Sequence, residues 1–377
     1  MSGDFDVIVV GVGAMGSSAC YHLASRGLRV LGLDRFDVPN TMGSSHGLSR
    51  MIRTAYYEHP HYVPLLRRAF ELWRELERQS GRKLLHETGG LYMGSPDDPL
   101  IFGSMSSAQE HNLPHRLLSR EELARDFPQF EVPDDFVAML EDQAGLLIPE
   151  QCVAAHAELA VMNGAKVHAN EPVISWASDA AGVTVRTARD TYRADHVVFT
   201  AGPWTDKLLR DLDVELIVTR QVLGWVHPPD PAPFQLGVLP VWAIGHADGS
   251  LHYGFPILSD GEGFKLAHHR AGMPTDPDDV QRSATPSDEE EIRAGLQQFV
   301  PTADAPVASI RICMYTNSPD HHFIIDRHPQ HENVTVACGF SGHGFKFAAV
   351  VGEILADLAT RGETELPAKF LSLKRFA

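Results

Sequence analysis

Cysteine is scarce and scattered. The chain of 377 residues has four, Cys20, Cys152, Cys313 and Cys338, with no CxxC pair among them. That spacing excludes a disulfide framework and matches no zinc pattern, and it fits a reducing, cytoplasmic location. Basic residues are also in short supply, 32 Lys and Arg against 49 Asp and Glu, for a formal net charge of −17. So acidic a chain lacks the basic face that binding to a phosphate backbone requires, and nothing draws it to an anionic membrane. Neither nucleic acid nor membrane is expected as a partner. Long hydrophobic runs are missing too. The first apolar stretch, VIVVGVGAMG, follows Asp4 and Asp6 and is broken by glycines, so it is neither a secretory core nor a membrane span. There are no internal repeats and no low-complexity linker.

What is present is an ordinary globular composition, 44% hydrophobic and 21% charged, in a chain long enough for two domains or one elaborated α/β domain. FDVIVVGVGAMGSSACYHLASRGLRVLGLD reads as strand, glycine turn, helix, strand. Asp6–Val10 is short, apolar and β-branched, as a parallel strand covered on both faces should be. Ala14 to Arg26 has helical spacing and stops at Gly27, and the second strand ends in Asp34. YVPLLRRAFELWRELERQSG is an amphipathic helix whose stripe, from Leu65 to Leu76, is core packing. SREELARDF predicts another helix, and VTVRTARDTYRADHVVFTAGPWT an antiparallel pair running into an apolar strand. Residues 221–314 favour strands, interrupted by one helix with Ser287 and Glu290 in capping-box spacing. NVTVACGF, SGHG and FKFAAVVGEILADLATRG close the chain as strand, turn and helix. The expected fold class is therefore α/β. A Rossmann-like domain, discontinuous over residues 1–85, 146–220 and 320–377, would carry a β-rich mixed-sheet substrate domain formed by the insertions 86–145 and 221–319.

Gly11-Val12-Gly13-Ala14-Met15-Gly16 has the context that a GxGxxG match needs, since it follows a strand and opens a helix. Asp34 ends the next strand. Gly11 serves the tight turn, Gly13 the close approach of a pyrophosphate, and Gly16 the packing of helix on strand. The helix N-terminus offers N–H groups to phosphates, and Asp34 can accept from a ribose hydroxyl. The motif alone does not separate FAD from NAD.

Two more segments bear on that choice. GSSHGLSRMIRTAY, residues 43–56, is polar and holds Ser44, His46, Arg50 and Arg53. GFSGHGFKFA, residues 339–348, sets Gly342, Gly344 and Lys346 at a helix N-terminus, a sound counter-charge for the N1–C2=O edge of a reduced flavin. A third stretch, RICMYTNSPDHHFIIDRHP, surrounds Cys313 with His321, His322 and His328. An inert buried thiol and a covalent cofactor anchor both suit this cysteine; the spacing suits no metal, and the histidines read as surface or loop residues before the strand FIID. No metal is expected.

On GVGAMG with Asp34, GSSHGLSRMIR, YGFP, GFKLAHH, CMYTNSPDHHFIID and GFSGHGFKF, spread over the whole chain, the sequence resembles the monomeric sarcosine oxidase / N-methyltryptophan oxidase family of flavoprotein amine oxidases. The resemblance implies FAD bonded through its 8α-methyl to the sulfur of Cys313. It implies that Arg53 and Lys346 hold a substrate carboxylate, that Lys265 promotes reaction with O2, and that His269, Tyr253 and Tyr315 contact the substrate. His46, Arg50 and Ser44 would lie by the flavin ring, and Val173 and the Ala201-Gly202 turn would touch the cofactor through the backbone. The implied reaction oxidises a small secondary amine bearing a carboxylate, sarcosine or another N-methyl amino acid, to an imine, with H2O2 formed from O2 by a monomeric enzyme. The alternatives are a noncovalent FAD dehydrogenase that serves a carrier, or an oxidase of pipecolate or sugar-modified amines. The chain departs from the family pattern at Ser45-His46 and Leu48-Ser49, where a His-His pair and Asp-Thr are common, and at His268, where an aromatic residue is common.

Overall fold

The computed structural model describes residues 4–259 and 261–376. The β-branched run after Phe5 forms the strand Phe5–Val10, nearly all of it buried. It pairs in parallel with Val30–Leu33 on one side and Thr191–Phe199 on the other. Lys166–His168 extends the sheet in parallel beyond Val30–Leu33, and Val334–Cys338 does so beyond Thr191–Phe199. Three antiparallel strands, Val173–Asp179, Gly182–Thr187 and Ile324–Arg327, complete eight.

Three helices cover one face of this sheet. Ala14–Ser25 packs between Pro149–Met162 and Ala348–Arg361. The approach is close enough that a Cβ on Gly352 would stand 2.1 Å from Ser18 Oγ. The amphipathic helix is Val63–Ser80, ended by Gly81 in the left-handed region at φ +68°. Leu65, Leu66, Ala69, Phe70, Trp73 and Leu76 are all buried in the main core, and each large side chain contributes about 1.5–3 kcal/mol by its removal from water.

A nine-stranded mixed sheet forms the other half, built from strands between Gly90 and Asn317. Its long partners Ile217–Val226 and Val307–Asn317 run antiparallel, and the first of these begins ahead of the expected domain boundary at residue 220. A small third sheet joins Arg50–Arg53, Ala144–Leu147 and Leu85–Glu87.

Two local expectations need correction. The helix in the β-rich half is Pro286–Phe299, capped by Thr285 with Asp288 rather than by Ser287 with Glu290. Pro286 explains the earlier start, because its fixed φ suits the first helical position and it has no N–H to satisfy. His328 lies after the strand Ile324–Arg327, not before it, and its side chain is fully buried. Among the described residues no helix is long and apolar enough to cross a membrane.

Candidate active site

The parallel strands of the eight-stranded sheet end at a common edge. Gly11, Asp34, Thr200 and Gly339 follow their last residues there, and all four line a cavity of about 440 Å³. This is the crevice outside the carboxyl ends of a parallel sheet, where such folds bind ligands. Gly11 takes φ +92°, and Thr200 Oγ1 donates to its carbonyl at 2.6 Å. Gly16 lies beneath the turn and not in the cavity wall; a Cβ there would come within 1.8 Å of Gly11 O. Gly13 begins the helix Ala14–Ser25, whose N-terminus has no side-chain cap from Gly13 and no acidic residue in its first turn. The helix dipole is thus left facing the cavity, a good seat for a pyrophosphate.

Asp34 is buried and accepts from Val12 N at 2.7 Å and Phe36 N at 2.8 Å. Burial nevertheless raises its pKa. Ser44, Arg50, Val173, Ala201, Gly202, Gly342 and Gly344 also line this cavity. Its volume, the glycine turn and the acidic residue at the second strand fit a dinucleotide.

A second cavity, about 80 Å³, adjoins it, and Arg50, Tyr315, Gly342 and Phe345 belong to the walls of both. Strand alternation builds one side of it. Leu251 and Tyr253, His269, and Cys313 with Tyr315 sit at alternate positions of three strands of the mixed sheet and project from one face. His269 Nδ1 lies 3.2 Å from Tyr315 Oη. Burial depresses the His269 imidazole to about 4 and raises both tyrosines. Arg50 donates to Cys313 Sγ at 3.4 Å and to Ser44 O at 3.2 Å, which ties the polar segment to the cysteine.

The other side is charged. Arg53, at the end of Arg50–Arg53, is buried; one terminal nitrogen donates to both Glu58 carboxylate oxygens, at 2.9 and 2.8 Å, and the other to Ala55 O at 3.2 Å. The rings of Tyr56 and Tyr57 each lie 4.5 Å from its guanidinium carbon. Burial disfavours the charge on Arg53, but Glu58 more than restores it, so the group titrates above its usual value. Lys346 sits in a 3-10 turn, Phe345–Phe347, ahead of the helix Ala348–Arg361, and donates to His343 O at 2.8 Å. Burial first, and then Arg53, bring it down to about 7.

Lys265 and His46 line neither cavity. Lys265 Nζ is buried behind the polar segment and donates to Gly47 O and Ser49 O, both at 2.7 Å, and to Ser49 Oγ at 3.1 Å. Three acceptors match the three N–H bonds of an ammonium, although burial pulls the group well below an ordinary lysine. Both ring nitrogens of His46 are buried without a hydrogen-bond partner, and burial lowers it to about 3.

Sequence reasoning missed Glu58 and Glu141. Glu141 accepts from Thr54 N and Ala55 N at 2.7 Å each and from Tyr92 Oη at 2.7 Å, and so fixes the chain just after Arg53. The only signal for Glu58 was a carboxylate five residues from a buried arginine; Glu141 gave none, since it meets residues 54 and 55 across the fold.

The family described as FAD dependent oxidoreductase matches residues 6–358. The monomeric sarcosine oxidase of Streptomyces avermitilis is 43% identical over 380 residues, covering 100% of this chain and 99% of that one. N-methyl-L-tryptophan oxidase of Yersinia pestis is 36% identical over 375 residues, covering 99% of this chain and 100% of that one. NikD in its open form, an amino acid oxidase essential for nikkomycin biosynthesis, superimposes with a TM-score of 0.86 at 28% identity, over 98% of this chain and 97% of that structure.

Proposed function

The chain belongs to the FAD-dependent oxidoreductase family, in the group of monomeric sarcosine and N-methyl-L-tryptophan oxidases, and we propose that it oxidises small N-methyl amino acids, sarcosine among them. It is a flavoenzyme of the amine-oxidase type. FAD would supply the redox chemistry, by which the amine loses two electrons and two protons, from its C–H and N–H bonds, to become an imine, and dioxygen gains two electrons and two protons to become H2O2. Water then splits the released imine into formaldehyde and the primary amino acid.

One observation carries the reading. Arg53 and Lys346 converge on a cavity that shares its wall with the dinucleotide crevice. Two cations at one end suit a carboxylate, which would exchange with Glu58 for the Arg53 fork. Leu100, Leu223, Ala243 and Leu251 give the cavity an apolar side, and its volume of about 80 Å³ favours a small amine over an indole. His269, neutral at physiological pH, can accept a hydrogen bond from the amine N–H and so orient its lone pair. Lys265 supplies a fixed positive charge behind Gly47–Ser49 that favours the negative charge dioxygen gains. Gly11, Gly13 and Gly16, with Asp34, would hold the dinucleotide. Ser44, His46 and Arg50 would lie by the ring, and Val173, Ala201, Gly202, Gly342 and Gly344 would contact the cofactor through the backbone. Cys313, with Arg50 hydrogen-bonded to its sulfur, is the proposed point of thioether attachment to the 8α-methyl. We further take the enzyme to be a cytoplasmic monomer.

An oxygen electrode tests the reaction. Sarcosine and N-methylalanine should each drive oxygen uptake with equimolar H2O2 and formaldehyde; turnover only with an artificial electron acceptor would make it a dehydrogenase. Acid precipitation tests the anchor separately. The yellow colour should stay in the pellet and be released by Cys313→Ala; colour in the wild-type supernatant would remove the covalent link.

A further inference from the structure

We propose that His246, His252 and His268 form a binding site for a divalent transition-metal ion on the face of the mixed sheet opposite the small cavity. Alternation along Phe264–His269 sends Lys265, Ala267 and His269 to the cavity side and leaves His268 on the other. His252 is its direct cross-strand neighbour, and the two rings stack at 4.3 Å and 7°. His246 lies just past the adjacent strand Val241–Gly245, with its Nε2 2.7 Å from His252 Nδ1. One ligand nitrogen from each of the three lies within 4.8 Å of the others.

The surroundings suit ligation. His268 Nδ1 faces Glu291 Oε1 at 3.2 Å, and its Nε2 donates to Ser250 Oγ at 2.9 Å, since the Ser250 hydroxyl gives its own proton to Asp248; a metal ion would take the place of that Nε2 proton. That carboxylate–histidine arrangement orients metal-binding imidazoles. The helix Pro286–Phe299 presents Gly295 to His252, where a Cβ would come within 2.6 Å of Nε2; the ring is accommodated by the absence of a side chain.

Three imidazoles select zinc, copper or nickel over magnesium or calcium. Around zinc the ligand nitrogens stand about 3.4 Å apart, from bonds of about 2.1 Å. His246 and His252 must therefore part slightly, and His268 must turn out of its stack on His252. His246 and His268 are both partly exposed, which leaves room for these movements. The second histidine group, Asp211 with His328 and His331, does not qualify. Gln330 N donates to His328 Nδ1, which puts the ring proton on Nε2, the atom facing Asp211 at 3.3 Å.

Untagged holoenzyme, dialysed first against a chelator and then against micromolar zinc chloride, should retain one zinc per chain. His246→Gln and His268→Phe should each weaken retention about tenfold or more, and Glu291→Gln by about tenfold, with flavin content unchanged in all three. His331→Gln should not alter it. Copper in place of zinc should show nitrogen hyperfine splitting by electron paramagnetic resonance, lost in His246→Gln. No zinc retained by the wild type, or retention in His246→Gln and His268→Phe as high as in the wild type, would overturn the site.

Discussion

The two adjoining cavities are built by different means. The large one is walled by backbone at the ends of parallel strands, where glycines set the shape and one carboxylate, Asp34, marks the far end. The small one is walled by side chains that arrive from separate segments: Arg53 from one sheet, His269 and Tyr315 from another, and Lys346 from a turn before a helix. A backbone-built site depends on chain geometry and tolerates little change of shape. A site built from side chains depends on charge balance, and can lose one function at a time.

The sharpest test of that contrast is Gly16→Val. Its Cβ would have to displace Gly11 O from 1.8 Å, so the turn cannot close, and no flavin-bound protein should be recovered. The ratio of absorbance at 450 and 280 nm reads this directly; a normal ratio would show that the turn is not what shapes the large cavity. Next in size is Lys265→Met. Loss of a preorganised charge should slow flavin reoxidation about 100- to 1,000-fold, while reduction by substrate changes little. Stopped-flow absorbance separates the two half-reactions, and an equal loss in both would leave Lys265 a structural tie for Gly47 and Ser49.

Legibility in the sequence follows the same division. GVGAMG, its flanking strands and Asp34 are contiguous, so the large cavity could be located from spacing alone. Arg53 and Lys346 carry no such local signal, and only the family resemblance brought them together. The pairing of Arg53 with Glu58 and the bracing by Glu141 were not legible, because neither depends on a period of two or of 3.6. The capping box was misplaced by two residues because Ser287 and Thr285 both stand three ahead of an acidic residue, and only Pro286 tells them apart. The three histidines opposite the cavity were invisible for another reason. Metal spacing is sought along a chain, and these meet through a turn and two neighbouring strands.

Removing one charge of the small cavity should break balance before it breaks shape. Arg53→Met takes away a bidentate partner for the substrate carboxylate, and KM for sarcosine should rise about 10- to 150-fold. It also leaves Glu58 buried and unpaired, at about 3–5 kcal/mol of stability. Arg53→Met with Glu58→Gln should restore much of the melting temperature and none of the affinity. If the double variant melts as low as the single one, the pair is not what the fold is balancing.

The smallest effect is the most specific to the charged cavity. Substrate-free Lys346 titrates at about 7, pulled there by burial and by Arg53, whereas a bound carboxylate would raise it. A group whose pKa rises on binding takes up a proton as the ligand enters. The affinity conferred by its charge is therefore full below about pH 7 and falls above it, by up to tenfold per pH unit until the bound-state pKa is passed. The substrate's own amine would confuse the reading, so the ligand should be a carboxylate without one, such as propionate, followed by its perturbation of the flavin spectrum. The other groups facing Lys346 do not titrate in this window: His269 and His343 are held at about 4 and 3, Glu58 below its ordinary value, and Arg53 above its own. Lys346→Met should bind propionate more weakly and with no dependence on pH between 6 and 9. A wild-type profile as flat as that of the variant would mean that Lys346 keeps its proton throughout, and that Arg53 alone sets the affinity for the carboxylate.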